Sequence, residues 1–288
     1  MQLSKISSEG NEDLYYTCGR VRRQWLSTPY KISAGSAAAL GQFPWAVALT
    51  LADRDQYNYC GGSIISKRHI LSAAHCIMNY NSDKLPCTGA RPLDDVKEIV
   101  VRYGGICLRT TSPPCNGKLC RKAKIRKVAI HKRFMDGNCI LGYDFAIIEL
   151  ETDLVFDSTT LPICLPGSSF DYTSVGNLFD YGFGENEKGE KMSRLNYGSA
   201  KIISVAKYHD FIQAGPVHMT RNRSNSLHGI CTGDSGAGLQ GSVRNRVYLL
   251  GVHSFGPVAC NKGSPFTVTD TRPYAEIICQ LTGICYQL

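Results

Sequence analysis

From Ile32 onward the chain is built of short apolar runs, rich in Val, Ile and Leu, that alternate with clusters of Gly, Pro, Asn and Asp. β-Branched residues suit a pleated, half-buried surface, while glycine and proline set turns, so the pattern predicts antiparallel strands joined by tight connections. Strand-like runs fall at 43–51, 63–72, 96–103, 125–131, 145–150, 200–205 and 247–252. Nothing long reads as helix before the end. There Ile277, Ile278, Leu281 and Ile284 recur at helical spacing behind Pro273 and predict one amphipathic C-terminal helix. Composition agrees: 28 glycines and 12 prolines leave room for many turns, and charged residues stand at 19%, below the roughly 25% of typical soluble chains. With 288 residues, 43% of them hydrophobic, the chain buries a sizeable core as one large domain or two small ones. Disordered and collagen-like classes are excluded, and no internal repeat is evident.

Thirteen cysteines are many for a reducing compartment, and no C-x-x-C pair offers zinc or thioredoxin-like spacing. The expectation is a secreted, extracellular protein. No stretch approaches the roughly 18 apolar residues of a membrane span. The opening MQLSKISSEGNEDLYY lacks the apolar centre of a signal peptide. Either the export signal lies outside this sequence or the cysteines stay reduced inside a cell. Residues 1–31 are polar, carry the clustered Arg20, Arg22 and Arg23, and read as a tail before a folded body. Of the net charge of +8, the body keeps +6, because 27 of the 32 basic and 21 of the 24 acidic residues follow position 31. Lys118, Arg121, Lys122, Lys124, Arg126 and Lys127 fall close together; such a run is either solvated or attracts an acidic glycan or an acidic substrate region. Without aromatic interleaving it does not suggest nucleic acid. Asn222-Arg-Ser224 is a glycosylation sequon.

Three segments carry chemistry. Cys231-Thr-Gly-Asp-Ser-Gly-Ala-Gly238 sets a serine between glycines, where backbone N–H groups can approach a substrate. Alone, Gly-Asp-Ser-Gly is a common turn. Two further blocks accompany it: His75 closes Leu-Ser-Ala-Ala-His behind an apolar run, and Asp144 opens Asp-Phe-Ala-Ile-Ile-Glu-Leu150. Asp136, Asp153 and Asp157 are rival acids, but none opens an apolar run. The order His, Asp, Ser differs from that of subtilisins and of α/β-hydrolases. With GQFPWAVAL at 41–49, CGGSIIS at 60–66, LSAAHC, DFAIIEL, LPICLP at 161–166 and CTGDSG, the sequence resembles the chymotrypsin-like serine proteases from Ile32 to about Ile284.

The resemblance implies an all-β fold of two six-stranded antiparallel β-barrels, about 32–150 and 151–288, with a C-terminal helix, behind a 1–31 propeptide. It implies a serine endopeptidase in which Ser235 attacks, His75 is base and then acid, Asp144 orients His75, and the backbone N–H groups of Gly233 and Ser235 form the oxyanion hole. Ser254 matches the residue beside the triad acid. Lys31-Ile32 matches the activation site, with Ser33 and Ala34 departing from the family pattern; cleavage there frees an α-ammonium to pair with Asp234, while Arg20, Arg22 and Arg23 offer competing sites. The disulfides carried over are Cys60–Cys76, Cys231–Cys260 and Cys18–Cys164, the last tying the propeptide to the body. Cys87, Cys107, Cys115, Cys120, Cys139, Cys279 and Cys285 remain, and an odd number leaves one free or bonded to a partner; Cys115 with Cys120 and Cys279 with Cys285 can close small loops.

At the pocket, Gly229 stands where trypsin-like members carry Asp, followed by Ile230, so a basic side chain finds no counter-charge. Ser254, Phe255 and Gly256 make one wall, and Phe266 replaces a glycine that usually leaves the pocket open, which favours small or medium apolar side chains. Expected partners are protein or peptide substrates, an activating trypsin-like protease and protease inhibitors, with no cofactor, metal, nucleic acid or membrane span. The competing class, a catalytically weak homologue acting as a binding or scaffold protein, predicts loss of His75, Asp144, Ser235 or Gly233, and all four are present.

Overall fold

A computed structural model describes residues 2–22, 36–79, 91–93, 96–110, 115–136, 142–186, 188–206, 210–216, 231–256 and 264–285. Its strands are β1 (Ser36–Ala37), β2 (Ala46–Leu51), β3 (Asn58–Ile64), β4 (His69–Ser72), β5 (Met78–Asn79), β6 (Arg91–Pro92), β7 (Ile99–Tyr103), β8 (Arg121–Ile130) and β9 (Ala146–Leu150). The second half adds β10 (Leu178–Gly182), β11 (Asn196–Val205), β12 (Phe211–Pro216), β13 (Gly238–Val243), β14 (Arg246–Phe255) and β15 (Phe266–Asp270). The helices are α1 (Ser8–Thr17), the short α2 (Lys132–Asp136) and α3 (Ala275–Thr282).

Six strands close into one barrel in the order β2-β3-β4-β9-β8-β7. A second ring runs β11-β10-β13-β14-β15-β12 and closes where β12 pairs back onto β11, with β1 added on β11. All these pairings are antiparallel, so the all-β, two-barrel architecture expected from the resemblance is the one observed. In β8, Ala123 and Ile125 turn inward while Lys122, Lys124 and Arg126 face solvent, the alternation that a strand with one buried face requires. That is why the strand begins at Arg121, ahead of the apolar run that predicted it. The run at 63–72 is not one strand: Ser66 Oγ accepts from the N–H groups of Arg68 and His69, at 3.1 and 3.0 Å, and this turn separates β3 from β4.

Two buried polar bonds stitch the barrels together. Trp45 Nε1 donates to Gln240 Oε1 at 2.8 Å, and the Ser63 and Tyr181 hydroxyls lie 2.6 Å apart. The apolar cores are continuous around them, because Ile64, Leu71 and Ile148 of the first barrel share one buried cluster with Leu249 and Val252 of the second.

The polar N-terminal segment contains a ten-residue helix, where nothing long was expected to be helical before the C-terminus. Ser7 Oγ caps α1 by accepting from Gly10 N–H at 3.0 Å, and Glu9 sits in its first turn. A ten-residue helix is marginal alone in water. Burial of Leu14, with Leu3 and Cys18 nearby, is what docks it on the body. Backbone bonds extend the contact: Ile6 N–H to Thr282 O, Gly19 N–H to Pro162 O and Val247 N–H to Gly19 O. Ser4 N–H donates to the fully buried Glu149, whose other oxygen takes Arg126. The helix predicted after Pro273 is α3, which ends at Gly283 and is clasped to α1 by the reciprocal Asn11–Cys285 bonds.

Disulfides join Cys18 to Cys164, Cys60 to Cys76 and Cys279 to Cys285. Cys115 pairs with Cys107 rather than with Cys120. The backbone explains the difference: Cys120 N–H donates to Cys107 O, and the Cys120 side chain is turned into the core as a free thiol, where burial pushes its pKa up to about 12. Cys231 is disulfide-bonded; Cys260, its expected partner, lies outside the described residues, as do Cys87 and Cys139.

Candidate active site

The cleft between the barrels gathers His75, Gly233, Ser235, Ser254, Phe255 and Gly256. His75 rides on a 3-10 turn, Ala74–Ile77, at the end of β4, and Asp144 stands two residues before β9, the strand paired with β4. Pairing of Ser72 with Ala146 therefore brings the two side chains together across neighbouring strands. His75 N–H donates to Asp144 Oδ1 at 2.9 Å, and the ring Nδ1 lies 2.7 Å from Asp144 Oδ2. A carboxylate only accepts, so Nδ1 carries the proton and Nε2 is left with a lone pair. Ser254 Oγ donates to the same Oδ2 at 2.5 Å, and Thr269 Oγ1 donates to the Asp144 carbonyl at 3.1 Å.

Electrostatics follow from this burial. Desolvation opposes charge on His75, but the Asp144 charge and hydrogen bond outweigh it and raise the imidazole above its ordinary value. Desolvation likewise opposes charge on Asp144, and the His75, Ser254 and backbone contacts outweigh it, holding the carboxyl below the usual range.

Ser235 sits in the tight turn that leads into β13. Gly61 N–H donates to the Ser235 carbonyl at 2.7 Å, and Gly236 N–H donates to His253 O at 2.8 Å, fixing the turn against both barrels. Gly236 has φ +82°, and a Cβ there would lie 2.4 Å from Ser72 Oγ and 2.5 Å from Gly61 O, so only glycine fits. Gly233 has φ +94°, and its carbonyl accepts from Asn58 Nδ2 at 2.7 Å. Asp234 is nearly buried, with Oδ1 taking Gly184 N–H at 2.8 Å and Oδ2 taking Cys231 N–H at 3.1 Å. Lys31 and Ile32 lie outside the described residues.

His75, Gly233 and Ser235 open on one cavity of about 570 Å³. Its second-barrel bank carries Thr232, Ser254, Phe255, Gly256 and Thr267; its first-barrel bank carries Leu51, Tyr59 and the Cys60–Cys76 disulfide. Phe266 packs behind His253, rings 5.2 Å apart and edge-on, and is 3% exposed. Gly229, Ile230 and Asn222 lie outside the described residues. A larger cavity, about 910 Å³, lies between the N-terminal segment and the first barrel, away from this chemistry. Cys60, His75 and Cys76 bring a nitrogen and two sulfurs within 4.8 Å, but both sulfurs are spent in the disulfide and offer no thiolate to a metal.

The rival acids are engaged elsewhere: Asp153 pairs with Arg68 and Asp157 with Arg121. The Asp136 side chain lies outside the described residues. Much of the basic run is also committed, with Arg121 on Asp157, Lys122 on Asp55, Arg126 on Glu149 and Lys127 on Gln2 O. Asn58 and Thr269 were not singled out in the sequence. Asn58 lies two residues ahead of CGGSIIS, and no motif marks it.

A family model described as Trypsin matches residues 32–278. Transmembrane protease serine 11A of Homo sapiens is 26% identical over 286 residues, covering 96% of this chain and 61% of that protein, so the chain spans about three-fifths of the relative's length. The family match runs through both barrels and the cleft between them, and the chain belongs to the trypsin family of serine proteases.

Proposed function

We propose that this chain is a serine endopeptidase made as a zymogen. The observation that carries the reading is the chain of hydrogen bonds from Ser254 through Asp144 to His75, opening on the same cavity as Ser235. In that arrangement His75 Nε2 takes the Ser235 proton as Oγ bonds to the substrate carbonyl carbon. The Gly233 and Ser235 N–H groups stabilise the resulting oxyanion, each such donor contributing about 3–4 kcal/mol. His75 then returns the proton to the leaving amine, and water releases the acyl group from Ser235 by the same relay in reverse.

Cleavage after Lys31 is the proposed activation step, the new Ile32 ammonium joining the carboxylate that Gly184 and Cys231 already orient. Gly229 supplies no counter-charge for a basic side chain, and Phe266 in place of the family's usual glycine favours small or medium apolar side chains. The disulfides suit an oxidising, extracellular setting. The test is a phosphonylating active-site probe applied to trypsin-treated protein, with the adduct mapped by mass spectrometry and peptide hydrolysis followed in parallel. A label on Ser235, with kcat falling ~10⁶-fold in Ser235→Ala, is expected; equal hydrolysis by both proteins would refute the reading.

A further inference from the structure

Next to the oxyanion turn stands a cluster that the catalytic chemistry does not use. The Asn58 amide ties the start of β3 to Gly233, and the preceding residue, Tyr57, is half-buried beside it. Arg109 Nη1 donates to Tyr57 Oη at 2.9 Å, with the guanidinium carbon 5.1 Å from the ring centre. Lys191 places its ammonium 5.5 Å from the same centre. One aromatic ring thus gathers two cations from distant parts of the chain. Among the described residues neither cation has a carboxylate partner. Of the described acids near them in sequence, Asp53 lies on Arg54, Asp55 on Arg102 and Lys122, and Glu190 accepts from the Asn186 amide.

The position of the cluster says which part of a substrate would meet it. The side chain on the acyl side enters between Thr232 and the Ser254–Gly256 wall, both from the second barrel. The leaving amine takes its proton from His75, which the Cys60–Cys76 disulfide anchors to β3. The chain beyond the scissile bond therefore passes over the first-barrel bank, towards the start of β3 and Tyr57. We propose that Tyr57, Arg109 and Lys191 form a cationic shelf that selects Asp or Glu among the first residues after the scissile bond. The inference rests on the endopeptidase reading for its direction along the substrate, and for its chemistry on two cations that meet at one ring and have no carboxylate partner among the described residues. Two partly exposed charge contacts give a preference of about fivefold at low salt, which falls as salt screens them.

The experiment uses peptides identical up to the cleaved bond and carrying Asp-Glu, Asn-Gln or Lys-Lys just beyond it. They are compared as substrates of the activated protein, and as fluorescent ligands of activated Ser235→Ala protein, at ~0.05 and ~0.5 M NaCl. The acidic peptide is expected to lead in both kcat/KM and affinity at low salt. The Arg109→Gln/Lys191→Gln double variant should lose that lead, its ratio of acidic to neutral kcat/KM falling towards unity. Equal affinities for all three peptides, or an acidic preference that survives in the double variant, would overturn the proposal. Should no peptide be cut while the acidic one still binds best through Arg109 and Lys191, the endopeptidase reading falls and the shelf stands.

Discussion

Replacing Asn58 with alanine tests whether the oxyanion turn is held from outside. Asn58 Nδ2 donates to the Gly233 carbonyl at 2.7 Å, so it fixes the peptide plane between Gly233 and Asp234, the link between the two N–H groups expected to receive the oxyanion. Glycine at φ +94° has alternative conformations within easy reach once that bond is gone. A neutral hydrogen bond contributes about 0.5–1.5 kcal/mol net, which at 1.36 kcal/mol per tenfold lowers kcat by about 2- to 13-fold. Complete loss of one oxyanion donor, about 10²- to 10³-fold, is the ceiling. The effect stays well under it, because the Asp234 N–H bond to Cys231 O and the Asp234 carboxylate bonds still brace the turn. KM should hardly move, since the oxyanion exists only beyond the ground state. Asn58→Asp is the discriminating companion: it keeps the shape but turns an oxygen towards the Gly233 carbonyl, so its loss should exceed that of alanine. Initial rates on one chromogenic peptide give both constants, with thermal melting to confirm folding. An unchanged kcat in Asn58→Ala, or an aspartate variant as active as the parent, would refute the reasoning.

With His75 as the proposed base, activity requires it neutral, and Asp144 raises the imidazole's pKa, so kcat/KM should fall as pH drops through a value above the ordinary 6.5. Asp144→Asn should shift that inflection downward and lower kcat about 10⁴-fold; an inflection that stays put would show that the Asp144 charge does not act on His75. Leu14→Ala should cost about 2–5 kcal/mol in urea unfolding, because the side chain is 3% exposed within the core, whereas Tyr16→Ala, 55% exposed, should stay within about 0.5 kcal/mol. Equal midpoints for the two variants would mean that α1 is not docked in solution. After cleavage at Lys31 the Cys18–Cys164 bond should keep the N-terminal segment attached, giving one species without reductant and two with it. A non-reduced body mass lacking any peptide that contains Cys18 would contradict that bridge.

What could be read in advance was local in origin. The apolar run at 125–131, most of which lies in β8, the turn clusters between runs and the helical spacing of Ile277, Ile278 and Leu281 each lie within one segment. The meeting of His75, Asp144 and Ser235 at one cleft could be expected for a different reason: each sits in a block whose neighbours also shape that cleft, such as Gly236, which nothing larger can replace. The helix α1 was illegible because its only buried residue is Leu14, too little apolar pattern to stand out in a polar segment; docking, not propensity, holds it. The Cys107–Cys115 pairing was missed because sequence proximity favoured Cys115 with Cys120, whereas the backbone bond from Cys120 to Cys107 turns the Cys120 thiol inward.

The strand-forming pattern, the order His, Asp, Ser and the terminal helix can be read along the chain, because periodicity and motif are properties of neighbouring residues. It takes the folded chain to show that Asn58 meets Gly233, that Arg109 and Lys191 meet at Tyr57, and that Ser4 meets Glu149. Those partners are 175, 52, 134 and 145 residues apart along the chain, counted from Asn58, Tyr57 to each cation, and Ser4 in turn. Closure of the barrels brings them within hydrogen-bonding or ring-contact distance, and no local rule of propensity or spacing extends across such separations.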